Sequence, residues 1–393
     1  MSSPKTPDSS VSETQVGNVG ERLLFIDFAR GIAMILMAWD HVSEFWNPGK
    51  MGSEGLRGYF PVFFNFTQFM LRFITHVCAP TFMFLAGTSL ALSVRRRQAR
   101  GESEFDISKR LVARGTLMWL FAIYVVGPAF GSGPLYFGVL ACFGLSFILW
   151  SVLRKLPTLV ILAASVIMIL FHPSLNLDFI PNTGLAYYLR VIIHEPAWMG
   201  SRWPFGGLYP IVPWIGVLGL GWGFGDFLNS YDITKIQNLK LPLVAAGVGA
   251  WILFVAVRWF NGFGVLVPPR QGNALMDWLS IAKYPPSLAF LLVTLGEMCF
   301  LLAIGLLVQR LKNPEKGVTG MVLLFGRIPL FFYLSHLVLY RLRPFWMTQP
   351  RLYDLTLWET GAFWVIGLAI LWWLGGHYLE FKRSHRESLL QYI

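Results

Sequence analysis

Residues 22–46 read RLLFIDFARGIAMILMAWDHVSEFW. Most of this stretch is greasy enough to lie in lipid, yet it holds Asp27, Arg30, Asp40 and His41. About 20 helical residues cross the hydrocarbon core of a bilayer. An ionisable group placed there costs about 2.5–3.5 kcal/mol on insertion scales, and usually faces a protein interior and serves a function. The spacing is informative. Arg30 and His41 are 11 positions apart; at roughly 100° per residue this returns to within about 20° of the same helix face, about 16 Å further along the axis. Asp27 precedes Arg30 by one turn and is its neighbour on that face. One stripe therefore carries an acid and a guanidinium near one end and an imidazole near the other. Asp40 lies roughly 100° round the helix from His41, which argues against its orienting that ring directly.

The rest of the chain has the same character. Of its 393 residues, 55% are apolar and 13% charged. A soluble domain has about a quarter charged residues, so the sequence predicts an all-α polytopic membrane protein. Ten apolar stretches, at 23–46, 74–94, 108–128, 134–153, 157–171, 208–228, 241–260, 286–309, 320–340 and 357–379, are candidate spans. They are too continuous for the alternation of a membrane barrel. RRRQARGESEFDISKR, after the second stretch, is rich in Lys and Arg and is placed in the cytoplasm. The cytoplasmic side then holds 19 of the 32 Lys and Arg against 11 outside, and both termini are expected inside. The net charge of +11 is explained by this topology, and no nucleic-acid partner is expected.

Three segments are expected: a polar, disordered tail at 1–20, a membrane domain at 21–386 and a short cytoplasmic tail at 387–393. Cys78, Cys142 and Cys299 lie singly within apolar runs and read as buried small hydrophobes. No metal-ligand spacing and no G-x-S-x-G elbow is present. GVLGLGWGFG, at 216–225, superficially matches a nucleotide loop, but no strand precedes it and close helix packing accounts for it better. Two long aromatic-rich loops, at about 172–207 and 261–285, are expected on the outer side, where a substrate would be met.

Further segments carry a resemblance. RLLFIDFARGIAMILMAWDH is followed by FITHVCAPTFMFLAGTSLALS, YPIVPWIGVLGLGWGFG, WLSIAKYPPSLAFLLVTLG and GRIPLFFYLSHLVLY. Together they resemble bacterial membrane proteins related to heparan-alpha-glucosaminide N-acetyltransferase, over about 22–386. The Arg30-x10-His41 spacing is also similar to that of membrane O-acyltransferases acting on bacterial surface sugars, which points to one transmembrane acyltransferase superfamily. The resemblance implies a multi-pass protein of the bacterial plasma membrane. It would take an acyl group, most often acetyl, from cytoplasmic acyl-CoA and pass it to a sugar or glycan hydroxyl or amine on the outer side.

On that reading Arg30, Arg110 and Arg114 meet the CoA phosphates, since Arg110 and Arg114 share a helix face, and Asp27 positions Arg30. His41 is the base or acyl carrier, with His76 and His336 lining the site. Lys283 and Tyr284 either bind the acceptor or mark a helix start. The loop after the first span lacks the luminal histidine that the heparan enzyme is thought to use, which makes heparan a poor guess for the acceptor. The expected partners are the bilayer, acyl-CoA and the glycan acceptor, with a homodimer admitted and no metal. The alternative reading is a secondary transporter of a small anionic or sugar-like solute.

Overall fold

The computed structural model describes residues 22–50, 52–63, 65–197, 206–267, 274–342 and 355–385. The tails assigned at 1–20 and 387–393 lie outside the described residues. In chain order the helices are α1 (Leu24–Trp46), α2 (Phe66–Thr75), α3 (Cys78–Ala99), α4 (Glu104–Phe121), α5 (Gly127–Ala129), α6 (Val139–Leu153), α7 (Thr158–Phe171) and α8 (Gly184–Ile193). They continue as α9 (Ile211–Ser230), α10 (Lys240–Phe260), α11 (Leu275–Leu279), α12 (Leu288–Gln309), α13 (Gly317–Arg327), α14 (Pro329–Arg341) and α15 (Leu357–Ser384). The described sheet is a single parallel pair of two-residue strands, β1 (Tyr136–Phe137) and β2 (Gly206–Gly207).

Each of the ten apolar stretches contains helix. Six described helical segments are long and apolar enough to cross a bilayer, and α13 with α14 makes a bent seventh. The difference from ten has a physical origin. The 23-residue α1 is long enough but carries Asp27, Arg30, Asp40 and Glu44. At 15 and 14 residues, α6 and α7 are shorter than a perpendicular crossing needs.

Helix α1 sits centrally, packed on α3, α12, α13, α14 and α15. Lipid supplies little hydrophobic drive between helices, so close backbone approach through small residues has to do the packing. A methyl group at Gly31 would overlap the Val322 carbonyl, and one at Gly326 the Asp27 carbonyl, which clamps α13 onto the Arg30 end of α1. Helices α3 and α9 mesh in the same way: Gly87 faces the Leu218 carbonyl and Gly221 the Phe84 carbonyl. The glycines of GVLGLGWGFG thus make a packing seam.

The Arg327-Ile328-Pro329 sequence bends the chain by 98° between α13 and α14. Proline disfavours helical geometry in the residue before it, and Ile328 lies outside it at φ −123°, ψ 44°. Pro329 then opens α14, where its missing N–H costs nothing. The break inserts the start of a helix into the interior of the bundle.

Candidate active site

A cavity of about 320 Å³ runs beside α1, and both ends of the polar stripe open onto it. Arg30, Ser89, Arg114, Arg327 and Lys382 line one end; Met34, Met37, Phe82, Met118 and Phe143 line its apolar middle. Asp40, His41, Thr75, Tyr209, Lys283 and Tyr333 line the other end.

At the basic end, Arg30 donates to the Gly326 carbonyl at 3.0 Å and to Ser89 Oγ at 2.8 Å. Asp27 is 3.4 Å from Arg30 and is also bound by Arg22. Asp27 is therefore one of three anchors for Arg30, and it lies off the cavity wall. The Arg114 guanidinium rests over the Phe147 ring, 5.3 Å from its centre, and its Nε has no hydrogen-bond partner among the described residues. Arg110 is absent from the wall, whereas Arg327 and Lys382, unforeseen in the sequence, are on it. The break before Pro329 brings the first turn of α14 to the same place, because Ile328, Pro329, Leu330 and Phe331 all line the cavity. First-turn amides have no partner within their helix and carry the positive end of its dipole.

At the other end, His41 Nδ1 lies 2.7 Å from His336 Nε2. His336 is fully buried, and its Nδ1 lies 2.9 Å from the Phe332 carbonyl. A carbonyl only accepts, so His336 Nδ1 carries the proton and, in the neutral ring, Nε2 accepts. His41 Nδ1 must then donate. That leaves His41 Nε2 unprotonated and without a hydrogen bond among the described residues, the form a base or nucleophile requires. The His41 ring is braced edge-on by Phe130 and Tyr333.

Asp40 does not touch His41. It accepts from Lys50 at 2.9 Å, from Arg72 at 2.9 and 3.0 Å and from Thr75 Oγ1 at 3.0 Å. Arg72 also donates to Glu54 at 2.7 Å. Burial alone would raise the Glu54 carboxyl, but the Arg72 guanidinium holds it well below the ordinary 4.5. Burial opposes the charge on Lys50, and Asp40 and Glu44 more than restore it.

The three histidines separate. His41 and His336 form the pair, whereas His76 sits off the main cavity, against a separate space of about 30 Å³ that Glu54 and Arg72 also line. Its Nε2 is 3.5 Å from Glu54, too long for a well-formed hydrogen bond. Sequence reasoning missed Lys50, Glu54, Arg72, Arg327 and Lys382 as site components. A signal existed for part of this set: an aspartate at 40, deep in a span and unable to serve His41, required cationic partners.

Among known proteins, the sequence profile described as heparan-alpha-glucosaminide N-acetyltransferase, catalytic, matches residues 22–257. The matched span contains Arg30, Asp40, His41, Arg72 and Arg114; His336, Arg327 and Lys283 lie beyond it. No curated protein sequence matches significantly. On this match over more than half its length, the chain belongs to the heparan-alpha-glucosaminide N-acetyltransferase catalytic family.

Proposed function

We propose that this protein moves an acyl group, most simply acetyl, from cytoplasmic acyl-CoA to a sugar or glycan hydroxyl or amine on the opposite side of the membrane. One observation carries the reading: a single cavity joins a cluster of cations to a histidine pair whose exposed nitrogen is a free base. Its volume suits an extended pantetheine arm and acyl group, with the nucleotide end held at the basic mouth. Arg30, Arg114, Arg327 and Lys382 bind phosphate oxygens there, helped by the start of α14. Arg110, off the wall, serves the approach of the anion.

The acceptor O–H or N–H gives its proton to His41 Nε2 as its oxygen or nitrogen attacks the thioester carbonyl. The new C–O or C–N bond forms, the C–S bond breaks, and the proton passes to the departing thiolate. His336 holds His41 in the competent tautomer and supports the imidazolium that forms. His76 has a supporting role at Glu54 and Arg72. With both termini in the cytoplasm, the basic mouth faces the donor side, within a plasma membrane of the bacterial type.

The test is a proteoliposome assay with acetyl-labelled acetyl-CoA supplied to one face at a time and glycan acceptors to the other. CoA release and label transfer are expected only with donor on the Arg30 face. Arg30→Ala should weaken CoA binding more than acceptor binding. The reading fails when acetyl-CoA neither binds nor loses its acetyl group and His41→Ala behaves like wild type. Movement of an intact solute across the membrane, without thioester cleavage, would instead establish the transporter.

A further inference from the structure

Attack on a thioester turns its carbonyl oxygen into an anion, and a hydrogen-bond donor held ready for that charge is among the largest contributions a site can make. His41 Nε2 accepts a proton and cannot fill this role. The donor has to come from the cavity wall beside it, where most candidates are committed. The Cys78 thiol donates to the Ala33 carbonyl at 3.3 Å. The single hydroxyl hydrogen of Thr75 is held between Asp40 Oδ1 at 3.0 Å and the Arg72 carbonyl at 2.8 Å. The Tyr209 hydroxyl is engaged with that of Tyr284. The Lys283 ammonium acts on Asp40, and with Lys50 and Arg72 it balances Asp40, Glu44 and Glu54.

Tyr333 differs from these. It lines the cavity and is only 8% exposed, yet among the described residues its hydroxyl makes no hydrogen bond. A buried phenol normally finds a partner. The ring is fixed between the two histidines: its centre lies 6.3 Å from that of His41, at 71°, and 5.6 Å from that of His336, at 60°. Tyr333 precedes His336 by three residues on α14 and so shares its helix face. It follows Pro329 by four, which sets it about 6 Å deeper along the helix. Pro329, Leu330 and Phe331 line the cavity at the basic end. An acyl group carried from the cations towards His41 therefore passes Tyr333.

We propose that the Tyr333 hydroxyl is the donor that stabilises the oxyanion of acyl transfer. The proposal rests on the transfer reading given above and adds a catalytic residue to it. As the acceptor oxygen or nitrogen bonds to the thioester carbon, the carbonyl π pair moves onto oxygen and takes a hydrogen bond from the Tyr333 O–H. When the C–S bond breaks, that pair returns to re-form the carbonyl. Tyr333 keeps its proton throughout, and the proton taken up by His41 goes to the thiolate.

The test measures CoA release from acetyl-CoA by the full chain in proteoliposomes, with D-glucosamine as acceptor and with water alone. Tyr333→Phe keeps the ring between the histidines and removes the donor. Its kcat should fall about 100- to 1,000-fold, the usual worth of one oxyanion donor, with KM for acetyl-CoA unchanged. 3-Fluorotyrosine at position 333 is a more acidic phenol of nearly the same shape; it donates more strongly and should give a kcat above wild type. That replacement decides the matter where Tyr333→Phe does not fold. Wild-type kcat in Tyr333→Phe overturns the proposal and leaves the transfer reading standing. So does a raised KM with kcat intact, which would place Tyr333 in donor binding, and so does a kcat at or below wild type with 3-fluorotyrosine. Wild-type protein that releases no CoA with either acceptor overturns the transfer reading and this proposal together.

Discussion

Replacing His336 by Phe isolates the histidine pair. His336 is fully buried and off the cavity wall, with bonds of 2.9 Å to the Phe332 carbonyl and 2.7 Å to His41. Phenylalanine fills a similar volume and offers neither bond. His41 Nδ1–H then loses its acceptor, and the buried donor costs about 1–3 kcal/mol. The ring can escape that cost by moving its proton to Nε2, the form that cannot act as a base. A penalty of about 1–3 kcal/mol on the competent form lowers kcat about 5- to 150-fold.

KM for acetyl-CoA should not move, because the donor never reaches His336. The assay is CoA release under single-turnover conditions, with thermal unfolding run alongside to show that the variant is folded. His41→Ala should lose more, about 100- to 10,000-fold, the usual worth of a positioned base. His336→Gln separates two roles. Its amide oxygen can accept from Nδ1–H, so activity returns if orientation is the task; it cannot take up a proton, so activity stays low if relay is the task. Wild-type kcat in His336→Phe would refute the tautomer reasoning outright.

Two further outcomes are expected. Arg114→Ala and Arg327→Ala should each raise KM for acetyl-CoA about tenfold or more with kcat little changed, as loss of a charge-assisted phosphate contact predicts, while Arg110→Ala should do much less; steady-state kinetics across the three variants checks this. Glu54 has a depressed carboxyl in the folded protein, so its contribution to stability is complete above 4.5 and is lost as pH falls through the lower folded value; a melting temperature that falls below pH 4.5 in wild type, with a shallower fall in Glu54→Gln, is the expected record, and parallel curves would contradict it.

Helical periodicity carried much of the site by itself. Arg30 and His41 lie at opposite ends of one cavity because 11 residues return to one face. What periodicity cannot supply is the rotation of one helix against another. The sequence sets His336 among the residues lining the site, and only the packing of α14 on α1 sets it against His41. Arg327 lies within the 320–340 stretch and Lys382 just past the one at 357–379, where a cation ordinarily reaches for headgroups; the bend before Pro329 brings the first to the cavity. His76 stands apart from the pair for the converse reason. It sits near the mouth in sequence, but α2 and the 47–65 segment place Arg72 and Glu54 between it and Asp40. The Lys283 turn is built from backbone bonds to Glu54, some 230 residues earlier in the chain, a pairing no local pattern announces.

The bend at Pro329 also works as a ruler. His336 follows Pro329 by seven residues, two turns that return to the same face and advance about 10 Å. The break that seats the start of α14 among the cations therefore also sets how deep the buried imidazole lies and which way it points. Adding or removing one residue between them would swing His336 by about 100° while leaving α14 helical and apolar. Such a change would be nearly silent in hydropathy and in membrane insertion, and would uncouple the two ends of the cavity. In this fold the count of residues along α14 matters as much as their kind.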